Sequence, residues 1–107
     1  MTLSEMVILE KERIKSANEN INRVVSFYQQ ELKNVGIPST PTIDSYYPNY
    51  SVKLSFGDDA CIVVSKTHIF TPYNSFKHTD SQAVLKDIAR TIAERNIHAI
   101  TVGPKKA

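Results

Sequence analysis

Apolar residues recur every seven positions along the first third of the chain, at Val7, Ile14, Ile21, Tyr28 and Val35. Ala17, Val24, Val25 and Leu32 fill the same stripe, and this spacing predicts one amphipathic helix over residues 3–35. Thr2-Leu3-Ser4-Glu5 fits a capping box, in which hydroxyl and carboxylate each satisfy a free backbone N–H. Gly36 supplies a left-handed stop, and Pro38 forbids easy continuation. Glu10/Arg13, Glu12/Lys15 and Glu19/Arg23 stand at helical spacing on the other faces.

The pattern then changes period. Residues 36–48 read as a linker, because Pro38, Pro41 and Pro48 disfavour regular structure. Beyond it Tyr50, Val52, Leu54 and Phe56 alternate with Ser51, Lys53 and Ser55, the mark of a strand with one buried face. Gly57-Asp58-Asp59 signals a turn, and the return strand puts Ala60, Ile62 and Val64 on one face. If Phe56 opposes Ala60, cross-strand partners sum to 116 and every apolar even-numbered residue shares a face. That parity runs out to Phe70 and predicts one long hairpin over residues 46–71. A turn at Ser65-Lys66-Thr67, giving three short strands, is the competing arrangement.

A second helix is expected over residues 80–96, started by a Thr79/Gln82 capping box with Asp80 at its N-terminus. Val84, Leu85, Ile88, Ala89 and Ile92 form its apolar stripe; Lys86, Asp87, Arg90 and Glu94 face water; Asn96 takes the left-handed stop. Residues 97–102 read as a short C-terminal strand ended by Gly103-Pro104. Long helix, long hairpin, second helix and short strand make a single α+β domain over residues 1–107, with a small, mainly antiparallel sheet covered by helices.

The first helix would be about 50 Å long, whereas a domain of this size has a radius of gyration near 13 Å. Either the helix breaks near Ser16–Asn20, where propensity is poor, or a second copy of the chain covers the overhang. Met6-Val7-Ile8-Leu9 is apolar all round the helix, which favours self-association through Met6, Val7, Leu9 and Ile14.

Composition narrows the classes. Of 107 residues 41% are hydrophobic and 22% charged, and the net charge of +2 excludes both a strongly basic coat protein and an acidic nucleic-acid mimic. No apolar run suits a bilayer or a secretory leader, so the expectation is a cytoplasmic protein with no membrane association. A lone Cys61 excludes an internal disulfide.

In the long-hairpin register Tyr46, Tyr50, Lys66, His68 and Phe70 share one end of the even face, a lining suited to a planar anionic ligand such as a nucleotide. The alternative is that the sheet twists out of the core there and Lys66 and His68 reach solvent. Tyr47, Tyr73 and Phe76, held beside prolines and in the same aromatic loops, are candidate anchors for a protein partner.

Catalysis finds little support. Cys61 and His68 point to opposite faces, and His68, His78 and His98 lack ligand spacing, so no catalytic residue, metal or cofactor is expected. Residues 60–107 carry a local surplus of four positive charges, but Asp87 and Glu94 dilute it, and nucleic-acid binding through that half is not favoured. The sequence therefore points to a small, non-catalytic, homo-oligomeric protein that acts by protein–protein contact, as an inhibitor, adaptor or regulator. Capture of a small anionic ligand is the runner-up.

Overall fold

The structure, a computed structural model, describes residues 1–46 and 49–97. Helix α1 (Leu3–Asn34) leads into β1 (Thr40–Ser45), β2 (Ser51–Gly57), β3 (Ala60–Val64), β4 (His68–Phe70) and β5 (Ser75–Lys77), and α2 (Ser81–Glu94) follows. The five strands form one antiparallel sheet in chain order, each paired with the next. The fold is α+β with a small open sheet, as the alternation of periods implies.

Both helices end by the same device. At α1, Gly36 adopts φ 77°, its N–H bonds to the Lys33 carbonyl, and the Ile37 N–H reaches the Leu32 carbonyl. At α2, Asn96 adopts φ 54° and the N–H groups of Asn96 and Ile97 reach the carbonyls of Ala93 and Ile92. This double bond satisfies carbonyls that a helix end would otherwise leave unpaired. The N-termini differ. Thr2 and Glu5 make the expected reciprocal box on α1. The expected Thr79/Gln82 box does not form, because α2 starts at Ser81 with Asp80 as its cap and no side-chain capping bond.

The core lies on one face of the sheet. Ile21, Val25, Tyr28 and Leu32 of α1 meet Val52, Leu54, Phe56, Ala60, Ile62 and Val64, while Val84 and Ile88 of α2 and Ile69 of β4 complete it. The predicted sum of 116 holds from Val52↔Val64 to Ser55↔Cys61. It then shifts, since Gly57 and not Phe56 opposes Ala60; a bulge at the turn absorbs the extra residue.

Three expectations are corrected. The segment read wholly as linker contains β1, whose Pro41 is tolerated because an edge strand needs only half its N–H groups. The long hairpin over 46–71 ends at Val64. Ser65 turns the chain, its N–H and its hydroxyl both donating to the His68 carbonyl while its Oγ accepts the His68 N–H. The next pairs, Val63↔Phe70 and Val64↔Ile69, sum to an odd number, so parity inverts and Ile69, not His68 or Phe70, enters the core. On α2, Asp87 is buried and Ala89 exposed, the reverse of the expected stripe. The proposed 97–102 strand lies outside the described residues from 98 onward.

Candidate functional site

Three surfaces carry the residues singled out in the sequence. The first is the N-terminal half of α1. Glu5 accepts from the Thr2 backbone N–H, which with the Thr2 hydroxyl holds its carboxyl below the ordinary value and secures the helix start. Every residue from Met1 to Arg13 is exposed, Ile14 and Ala17 are half-buried, and full burial begins at Ile21. The helix therefore leaves the sheet about 20 Å before its N-terminus, at 1.5 Å per residue. Met6, Val7, Ile8 and Leu9 are 44% to 58% exposed on this projection. Of the two arrangements weighed for the long helix, the break near Asn18 is not the one found: α1 runs unbroken through Ser16–Asn20.

The second surface is the loop after β4. Asp87 accepts from the Thr71 hydroxyl at 2.7 Å and from the Asn74 amide at 3.4 Å. Thr71 Oγ1 in turn accepts from the N–H groups of Tyr73 and Asn74. The Tyr73 hydroxyl donates to Glu94, and the Arg90 guanidinium lies 4.1 Å over the Tyr73 ring while bonding Glu94. That hydrogen bond raises the Tyr73 hydroxyl's pKa and, with Arg90, lowers the Glu94 carboxyl's. Tyr73 is thus committed to α2, and Phe76 packs partly against the core; Tyr47 lies outside the described residues.

The third surface is the sheet face away from both helices. Because parity inverts at Ser65, the five residues expected to share a pocket divide between locations. Tyr50 packs against the core, Tyr46 is 73% exposed before the second strand, and Lys66 stands at the tip of the 65–68 turn. His68 and Phe70 point to the opposite face, their ring centroids 6.3 Å apart. Cys61 stays on that face as a half-buried free thiol, and the His78 ring bonds the Ser65 carbonyl at 2.8 Å. What the sequence reading missed is Asp87: its helical position looks like any solvent-facing charge until the 71–74 turn is folded onto it.

Among the described residues there is no cluster of His, Cys, Asp or Glu able to hold a metal ion, and no helix long and apolar enough to cross a membrane. Comparison with protein-family models, with curated proteins and with solved structures gives no match.

Proposed function

We propose that the protein is a non-catalytic binding protein that acts through protein–protein contact, with the projecting half of α1 as the contact surface and a second copy of the chain as its first occupant. The observation that carries this reading is the exposure of four consecutive apolar residues, Met6 to Leu9, on a helix that has already left its own sheet. Apolar surface concentrated in this way is costly in water and marks an interaction site.

Two features favour a second copy. The spacing that seats Ile21 and Tyr28 in the core continues outward through Ile14 and Val7, so the projecting half offers the kind of stripe that helices pack with one another. Its charges also balance, with Glu5, Glu10 and Glu12 against Lys11, Arg13 and Lys15, so two copies carry no net repulsion. The test is the double variant Val7→Asp/Leu9→Asp, measured by light scattering coupled to size exclusion and by circular dichroism. A soluble, folded monomer that melts below the wild-type assembly is the expected result. An unchanged oligomer would overturn the reading.

A further inference from the structure

The outer face of the sheet lies away from both helices and from the projecting half of α1. Lys53 alternates with the fully buried Leu54 and so projects away from the helices. The register carries its row across the sheet through Val63 to Phe70 and Ser75. His68 lies two residues from Phe70 on the same side, and its cross-strand neighbour is Lys77. At about 4.8 Å between strands, Lys53 stands about 10 Å to one side of Phe70, and Lys77 beside His68 on the other. Lys66 extends the positive charge around the adjoining turn.

Strands β2, β3, β4 and β5 contain Lys53 and Lys77 and no Asp or Glu; the nearest carboxylates in sequence are Asp58 and Asp59 at the β2–β3 turn and Asp80 after β5, with Asp44 on the outermost strand. Phe70 is 45% exposed, and its ring and that of His68 are inclined by only 32°, giving two adjacent π faces on a rigid strand. Aromatic rings between flanking cations, on the sheet face that neither described helix covers, match the chemistry of unpaired bases joined by phosphates. A duplex does not fit, because its bases are already stacked and a flat sheet face offers nothing to enter a groove.

We propose that this face binds single-stranded nucleic acid, with Phe70 and His68 stacking bases and Lys53, Lys66 and Lys77 meeting phosphates. The site takes Lys66 and Lys77 from the basic 60–107 segment weighed in the sequence and adds Lys53 and the Phe70–His68 pair on the outer face of the sheet.

The experiment is fluorescence anisotropy of the full chain with labelled oligothymidylate and oligouridylate of about twelve nucleotides, and with a duplex of equal length. Binding is expected for at least one single strand, weaker for the duplex. With three lysines engaged, the salt slope should be near −2. Phe70→Ala should weaken binding about tenfold, because each stacked base contributes to that extent. Lys53→Glu/Lys77→Glu should abolish it. Phe70 is outside the core, so Phe70→Ala remains informative if the charge variant fails to fold. No anisotropy change up to ~100 µM protein at low salt would overturn the proposal, since even non-specific binding is detected there. So would affinity indifferent to Phe70→Ala, or polyglutamate competing as well as the oligonucleotide, which would identify a charge-only surface for acidic polymers.

Discussion

Two side chains in the interior show opposite ways of burying polarity. The Tyr28 hydroxyl sits in the core with no hydrogen-bond partner, and burial pushes its pKa up to about 12. An unpaired buried hydroxyl is a net cost, so Tyr28→Phe should hold or raise stability, by up to about 1 kcal/mol in urea denaturation. The same group gives a pH signature. Its folded pKa lies above the unfolded value of 10.0, so the phenol's contribution is intact below pH 10 and is lost as pH rises toward 12. Tyr28→Phe should therefore lose less stability than the wild type across that interval; equal losses would contradict the burial argument. Asp87 is the satisfied case, buried with two donors aimed at it. Asp87→Ala strands Thr71 and Asn74 and should cost about 1–3 kcal/mol. The neighbouring Arg90–Glu94 pair is solvent-exposed, and Arg90→Ala should change stability far less than Asp87→Ala does.

Element by element, the sequence was legible wherever a local rule decided the outcome. Thr2 and Glu5, Gly36 and Asn96 mark helix ends because their chemistry is complete within a few residues. The register of β2 on β3 was readable because burying one face fixes parity. Parity failed at Ser65, where an apolar even-numbered Phe70 follows in phase although Ile69 is the residue that packs. Only the odd-sum turn, set by the Ser65 hydroxyl and backbone, separates these two arrangements. That correction also dissolved the predicted pocket: its cation and imidazole were assigned to the face of Tyr50 and belong elsewhere. A direct check compares two adjacent residues. Ile69→Ala should cost about 2–5 kcal/mol as a cavity in the core. Phe70→Ala should stay within about 0.5 kcal/mol, as an exposed position does. Reversed magnitudes would restore the long hairpin. Strand β1 was missed for a different reason: three prolines outweighed the pattern, whereas an edge position lets Pro41 sit without losing a ladder bond.

At the scale of the whole molecule, shape is the informative quantity. The radius of gyration is 16.5 Å and the extents are 64 × 25 × 23 Å, against about 13 Å for a compact domain of this length. The excess comes from α1, whose inner half is fixed by Ile21, Val25, Tyr28 and Leu32 while its outer half, from Leu3 to Arg13, stays exposed among the described residues. An isolated helical projection of this length is marginal in water, which is the physical ground for the proposed contact with a second copy. The projection itself was anticipated from the mismatch between helix length and domain size, a consequence of geometry alone. An occupant is not legible in the same way, because apolar side chains record the need for burial without naming what supplies it.

The measurement that bears most directly on this account is sedimentation equilibrium of the full chain, without additives, across a wide concentration range. A mass that is a multiple of 12.0 kDa, falling to one chain's mass on dilution or in Val7→Asp/Leu9→Asp, is the result the account predicts. A single species of 12.0 kDa at every concentration up to ~100 µM would contradict it, since an obligatory contact would be populated there.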